Sequence, residues 1–218
     1  MKVLVLGAGI AGVTTAYELA RAGHEVTVVD REAEPAAFTS YANAGLFAPG
    51  HSYAWSSPAA PGILLKSLWR NDQALRFRPN LDPAFWSWMW QFWNQCTAER
   101  AALNTTRKVR LCVFSQSVFH ETVEATGIAY DGRKGGILYF YRDPKVFEAA
   151  AAKSRILSDN GCEIEALDRD GAVTIDPALA GVRDQIAGAL YALSDESGDC
   201  RKFARGMAGY LQGRGVSF

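Results

Sequence analysis

The stretch Val3-Leu4-Val5-Leu6-Gly7-Ala8-Gly9-Ile10-Ala11-Gly12 decides the fold. Val3 to Leu6 are aliphatic without alternation, which predicts a strand buried on both faces, as in a parallel sheet. The next six residues spell Gly-x-Gly-x-x-Gly. Val13 to Ala22 then read as a helix, with Ala16, Leu19 and Ala20 on one face. Gly23 suits the left-handed position that closes a helix. His24 to Val29 form a second strand, and Asp30 stands at its end. Each glycine has a physical reason: Gly7 permits the tight turn, Gly9 lets the backbone approach a pyrophosphate, and Gly12 lets the helix lie against the sheet. The amides of Ala8, Ile10 and Ala11 at the positive end of the helix dipole attract that anion. Asp30, 18 residues after Gly12, is placed to accept hydrogen bonds from an adenosine ribose, with Arg31 beside it. This β-turn-α-β unit predicts dinucleotide binding. It does not separate FAD from NAD, because both carry the ADP half.

Composition narrows the class. The chain has 218 residues with 23 basic and 23 acidic side chains, so its formal net charge is zero. A nucleic-acid binder relying on phosphate neutralisation is thereby disfavoured. Apolar residues make up 49% and charged residues 21%, which fits a globular protein of one large or two smaller domains. Cys96, Cys112, Cys162 and Cys200 include no CxxC pair, and they read as reduced thiols of a cytoplasmic protein. No metal-ligand spacing is visible. The apolar run after Lys2 is too short for a signal peptide, and no window approaches the roughly 18 apolar residues of a membrane span.

Residues 35 to 62 read as loop, broken by Pro35, Pro49, Pro58 and Pro61. Within them Thr39-Ser40-Tyr41-Ala42-Asn43-Ala44-Gly45 is a run of small and amide-bearing residues. It suits either an ordinary surface loop or a backbone that must reach a flat ligand. Phe85 to Trp93 is dense in aromatics, with Ser87, Gln91 and Asn94 as one narrow polar stripe at helical spacing. Three readings stay open for it: a helix sunk in the core, a contact with another protein or a further part of this one, and a helix in a membrane interface. Lys66, Arg70, Arg76 and Arg78 lie just upstream.

Thr97 to Thr126 reads as a long helix with Leu111, Phe114 and Val118 on its apolar side, ended by Gly127. Gly135 to Tyr141 is a strand. Asp143 and Pro144 open a helix running to about Asn160. Cys162 to Leu167 is strand-like, Asp176-Pro177 begins a helical turn, and Ile186 to Ala192 is again strand-like. Asp199 caps a helix over Arg201 to Leu211, and a further strand begins within Gly213 to Phe218. Candidate catalytic groups are few. His24 and His120 read as structural. His51 and Tyr53, in the proline-rich loop, are the substrate-side candidates. Asp195, Glu196 and Asp199 are explained by capping and solvation as well as by chemistry.

Several blocks carry a family resemblance. They are Val5 to Gly12, Gly23 to Glu32, Thr39 to Gly45, Pro49-Gly50, Trp88-Met89-Trp90-Gln91, Gly132-Arg133-Lys134-Gly135-Gly136 and Asp195-Glu196-Ser197-Gly198-Asp199-Cys200. The chain resembles the FAD-dependent D-amino acid dehydrogenases, within the wider family of glycine, sarcosine and D-amino acid oxidases. That resemblance implies FAD rather than NAD. It implies that Gly7, Gly9 and Gly12 hold the pyrophosphate, and that Asp30 holds the ribose. It sets the loop matched by Thr39, Ser40, Asn43, Ala44, Gly45 and Leu46 beside the isoalloxazine.

The implied architecture is α/β. Residues 1–50 and 195–218 form an incomplete Rossmann-like FAD-binding domain. Residues 51–194 form a helical segment and an α+β substrate domain with an antiparallel sheet. Family members are about twice as long, and their second half contributes an arginine for the substrate carboxylate. The resemblance therefore implies a second polypeptide or C-terminal fragment that completes the fold. The implied activity is oxidation of the CH–NH2 group of a small D-amino acid by hydride transfer to flavin N5. The resulting imine hydrolyses to a 2-oxo acid and ammonia. A quinone or respiratory carrier is the implied electron acceptor, with the protein cytoplasmic or peripheral at the inner face of the cell membrane. An oxygen-using glycine, sarcosine or imino-acid oxidase, and a non-catalytic nucleotide-binding subunit, are the alternatives.

Overall fold

The computed structural model describes residues 1–70, 77, 78 and 80–218; Arg76, noted above, lies outside the described residues. In chain order the elements are β1 (Lys2–Leu6), α1 (Ile10–Arg21), β2 (Glu25–Val29), β3 (Leu46–Phe47), α2 (Ala60–Lys66), α3 (Pro83–Asn94), α4 (Ala98–Thr126), β4 (Ile137–Tyr141), α5 (Pro144–Ser158), β5 (Ile164–Leu167), α6 (Arg169–Ile175), β6 (Gly188–Ala192), β7 (Glu196–Ser197) and α7 (Cys200–Gln212). Short 3-10 turns cover Pro49–His51 and Pro177–Gln185. The chain divides into two units. The first comprises Met1–Ala48, Phe114–Tyr139 and Tyr191–Phe218; the second comprises Pro49–Val113 and Phe140–Leu190.

In the first unit β1 and β2 pair in parallel, with Lys2 opposite Glu25 and Leu6 opposite Val29. Gly23 closes α1 at φ +80°, as its place in the sequence predicts. Ser217 bridges Thr27 in parallel and extends the sheet beyond β2, so the strand expected after Gly213 is present as a single bridge. The core sits on one side of this sheet. Val5, Val26 and Val28 pack there with Val13, Ala16 and Tyr17 of α1 and with Phe203, Met207 and Leu211 of α7. The last three recur every four residues, which turns one stripe of α7 inward.

The expectation of a β1 strand buried on both faces is not met. Leu4 is 60% exposed, Leu6 78% and Val29 48%. Strand side chains alternate between faces, and the helices α1 and α7 lie on the same side as Val5 and Val28. The opposite, apolar face carries no comparable cover among the described residues.

In the second unit, Val109 of α4, Leu157 of α5 and Cys162 form a buried cluster, with Tyr53, Val113 and Ile164 packed against it. Asp143 accepts from the amides of Lys145 and Val146, and Pro144 occupies the first turn of α5. The strands β4, β6 and β5 make a three-stranded sheet in that order. Ala187 N donates to Tyr141 O, while the Tyr191 hydroxyl reaches Gly135 O, so β4 and β6 run in opposite directions, as expected. Helix α6 was not foreseen; Asp168 starts it by accepting from Gly171 N.

Two expectations about burial are overturned here. Leu111 and Phe114 lie on an exposed face of α4, 65% and 64% accessible, because α4 turns Thr105, Val109 and Gln116 inward instead. Helix α3 forms where the aromatic run predicts it, yet none of its residues is buried. The reading of α3 as sunk in a core therefore fails. Cys96, Cys112 and Cys200 are outside any disulfide, and Cys162 is buried.

Candidate functional site

The β1–α1 turn is built by close backbone approach. Gly7 takes φ +102°, a left-handed value that a side chain would strain. Its amide donates to Val29 O at 2.7 Å. A Cβ on Gly12 would lie 1.8 Å from Gly7 O, so the helix contacts the turn through bare backbone. Gly9 is the N-cap of α1 and, lacking a side chain, supplies no cap of its own.

Two side chains hold the turn's amides. Ala8 N donates to Asp30 Oδ2 at 2.6 Å, and Ile10 N donates to the hydroxyl of the buried Ser40 at 2.9 Å. Glu32 N donates to Asp30 Oδ1 at 2.9 Å. The expected ribose acceptor is thus also a staple between β2 and the glycine turn. A carboxylate offers about four lone-pair sites, so two amide bonds leave room for sugar hydroxyls.

These bonds hold the Asp30 carboxyl below its usual range, chiefly through the Ala8 amide and next through Glu32. A carboxyl whose pKa is depressed in the folded state stabilises it above the unfolded pKa, and the contribution disappears as pH falls through the folded value. Asp30→Asn is therefore expected to flatten part of the acid limb of a stability–pH profile, below the ordinary carboxylate range, and to change little near pH 7 beyond a constant offset. Chemical denaturation across acidic pH measures this. An unchanged acid limb would show that the Ala8–Asp30 bond carries no weight.

The loop from Ser40 to Phe47 is fixed by β7. Leu46 and Phe47 pair antiparallel with Ser197 and Glu196. Gly198 N donates to Gly45 O at 2.8 Å. Gly45 sits at φ +60°, and a Cβ there would stand 2.5 Å from Gly198 O. Asn43 Oδ1 accepts from Gly45 N at 2.9 Å. The small residues of this loop thus have a packing reason of their own.

Two cavities adjoin the loop within the first unit. One, of about 520 Å³, is walled by Ile10, Thr14 and Tyr17 of α1, the loop from Asn43 to Phe47, Phe119 of α4, Tyr130, and Glu196 to Phe203. The other, of about 480 Å³, is lined by Ser40 to Gly45, Asp131, Arg133 and Ser197 to Arg201. Arg201 stacks over the Tyr41 ring at 3.8 Å, and its Nε is buried without an acceptor among the described residues.

The expected cofactor residues divide as follows. Gly7 to Gly12, Asp30 and Ser40 meet at the turn; Asn43, Ala44, Gly45 and Leu46 line both or one of the adjoining cavities. Thr39 is exposed, and Arg31 lies over the Phe38 ring at 4.1 Å. His51 and Tyr53 belong to the second unit, with rings 6.0 Å apart edge to face. Burial pushes the Tyr53 phenol up to about 12, so it stays protonated at neutral pH.

The sequence reading missed a polar cluster on the cavity wall. His120 Nε2 lies 2.5 Å from Glu196 Oε1, and Gln116 Nε2 donates to Ser194 O and to the same carboxylate. Asp195, fully buried, accepts from the Tyr139 hydroxyl. Solvation therefore does not explain Asp195 or Glu196, although Asp199 does cap α7 through Lys202 N. The only sequence signal was adjacency of acids next to an apolar strand. The partners of Glu196 lie on α4, 76 or more residues away, and that of Asp195 on β4, 56 residues away.

A glycine turn without Cβ atoms in front of it and a buried guanidinium nitrogen lacking an acceptor among the described residues fit a ligand bearing phosphate and carbonyl oxygens.

Comparison with known proteins adds to this geometry. Residues 2–218 match the family model described as DAO, FAD dependent oxidoreductase. Curated relatives include the D-amino acid dehydrogenase of Rhizobium johnstonii, 45% identical over 218 residues, which covers 100% of this chain and 52% of the relative. The D-amino acid dehydrogenase of Azorhizobium caulinodans is 44% identical with the same coverage. The chain spans about half the length of the curated relatives it matches. Among solved structures, glycine oxidase from Bacillus cereus superposes with a TM-score of 0.61 at 18% identity, covering 99% of this chain and 45% of that one. L-Proline dehydrogenase from P. horikoshii gives 0.59 at 18% identity, with 100% and 43% covered. At such identities the structural likeness concerns the fold.

Proposed function

Because the chain belongs to the DAO family of FAD-dependent oxidoreductases, we propose that it is the cofactor-holding part of an enzyme that oxidises the CH–NH2 group of a small D-amino acid to an imine. Water hydrolyses the imine to a 2-oxo acid and ammonia. The observation that carries this reading is the glycine turn, tied to Asp30 and Ser40 and adjoined by cavities whose walls include Asn43 to Leu46. The D-amino acid dehydrogenases among the relatives support the substrate class.

When bound, FAD supplies an acceptor for the two electrons and the hydrogen lost from the substrate Cα. In this reading the dipole of α1 and the amides of the turn other than those of Gly7, Ala8 and Ile10, which are bonded to Val29, Asp30 and Ser40, hold its pyrophosphate. Asp30 accepts from the ribose, and its negative charge disfavours a 2′-phosphate. Asn43 to Leu46 flank the ring system on a loop that β7 keeps rigid. The substrate amine must reach the site uncharged, since a protonated amine has no lone pair to assist departure of the hydrogen. His51 and Tyr53 remain candidates for the substrate side.

The completing polypeptide segment and a quinone or respiratory electron acceptor are parts of the same proposal. The uncovered face at Leu4, Leu6 and Val29 supports the first. A cytoplasmic location is supported by Cys96, Cys112 and Cys200, which stand outside any disulfide.

The test uses the complete polypeptide. Denaturation should release FAD, and D-alanine but not L-alanine should reduce a quinone-like dye without forming hydrogen peroxide. A colourless protein that releases no flavin would reject the reading. Peroxide formation in place of dye reduction would favour an oxidase.

A further inference from the structure

The larger-walled cavity of the first unit, about 520 Å³, combines two kinds of lining. Tyr17, Phe47, Phe119, Tyr130 and Phe203 bring aromatic rings to it, and Glu18, Glu196 and Asp199 bring carboxylates. Among the described residues no lysine, arginine or histidine lines it. Its neighbour across the Asn43–Gly45 loop differs, with Arg133 and Arg201 in the wall. The rings are held before any ligand arrives. Phe119 stacks on Phe47 at 4.8 Å and meets Phe203 at 5.0 Å and Tyr130 at 5.3 Å.

Glu196 is the carboxylate that lacks a full set of partners. It is 5% exposed. His120 and Gln116 engage Oε1 from outside the lining, whereas Oε2 is buried with no donor among the described residues. A buried acceptor without a donor is costly, and a buried charge is screened far less than one in water. That charge is felt at the rings: the Tyr130 phenol is pushed up, first by burial and next by Glu196. The other two carboxylates are better answered. Glu18 pairs with Arg21 at 2.7 Å, and Asp199 accepts from Lys202 N at 2.9 Å.

We propose that this cavity binds a small organic ammonium ion. The faces of aromatic rings attract a cation through their quadrupole, most strongly where water is excluded. The carboxylates add an attraction that acts through space at low dielectric and needs no direct contact. A neutral apolar ligand would fill the space between the rings and leave the Glu196 charge uncompensated. An anion would be repelled by all three carboxylates. The volume suits a small molecule, for which sites of about 300–1,000 Å³ are usual. Such a site favours an amine in its charged form, whereas the oxidation proposed above needs the uncharged form. The cavity therefore captures its ligand and stands apart from the reacting position.

The test uses the complete polypeptide as purified, with flavin content read separately, so that failure of the redox reading and failure of this one are told apart. Choline is the probe, and the control is its neutral isostere with a quaternary carbon in place of nitrogen. Titration calorimetry should show choline binding at least about tenfold more tightly than the isostere. Glu196→Gln should weaken choline binding by about tenfold while circular dichroism and melting stay near those of the parent. Thr14→Lys, on the α1 wall of the cavity, should supply a tethered ammonium and abolish choline binding. Equal affinity for choline and the isostere would overturn the proposal. So would unchanged affinity in folded Glu196→Gln or, if that variant does not fold, full choline binding by Thr14→Lys. Absence of choline binding by the complete polypeptide would overturn it equally, since the cavity is then filled by the protein's own chain or cofactor.

Discussion

Gly12→Ala should cost about 3 kcal/mol or more of folding free energy and lower the melting temperature by roughly 6–12 °C, or prevent soluble folding altogether. The reason is local and steric. The added methyl would stand 1.8 Å from Gly7 O and 2.8 Å from Gly7 C, and both neighbours are backbone. Gly7 cannot retreat, because its amide is bonded to Val29 O and its φ of +102° has no equivalent for other geometries of this turn. The α1 helix would have to lift from β1, loosening Val13 and Ala16 from a core in which both are fully buried. Thermal melting followed by circular dichroism decides the matter. A melting temperature within about 2 °C of the parent would mean that this contact is not tight in solution.

Gly9→Val should behave in the opposite way, keeping the fold and losing the cofactor by on the order of a hundredfold or more in affinity, the scale of about 3 kcal/mol. Among the described residues the one close neighbour of a Cβ at Gly9 is the Ser40 hydroxyl at 3.2 Å, which can give a little. The added isopropyl group would instead occupy the space before the α1 amides, where the proposal seats a pyrophosphate. Flavin content after gel filtration, together with the far-ultraviolet spectrum, separates the two effects. Full retention of FAD by this variant would remove the glycine turn from the cofactor site. One motif thus contains a glycine needed for folding and one needed for the ligand.

Features that depend on neighbours in sequence were legible in advance. Gly23 ends α1, Asp143 and Pro144 start α5, and Asp199 starts α7, because caps act within one turn. The β1–α1–β2 unit was legible for the same reason. Burial was less so. An apolar run announces only that water is unfavourable, not what will cover it. Leu4 and Leu6 therefore read as interior and are exposed in the structure, and the aromatic run of α3, which left core, protein contact and membrane interface open, is exposed as well. Contacts across long stretches of chain were not legible at all. Nothing near Glu196 points to His120 or Gln116, and nothing near Ser40 points to the amide of Ile10. Gly45 leaves a surface loop and a ligand-approaching backbone equally open in the sequence, whereas its packing on Gly198 needs a partner strand to be seen.

The division of the chain bears on its synthesis. The first unit is assembled from three separated segments, and Ser217 extends its sheet by bonding to Val26 and Val28. On the ribosome, β1 and β2 emerge first but must wait for α7 and Ser217 before that bonding can close. The unit built around Val109, Leu157 and Cys162 has all its residues out of the exit tunnel earlier. Such long-range closure is slow, and the unpaired edge of β2 stays open to wrong pairing until Ser217 arrives.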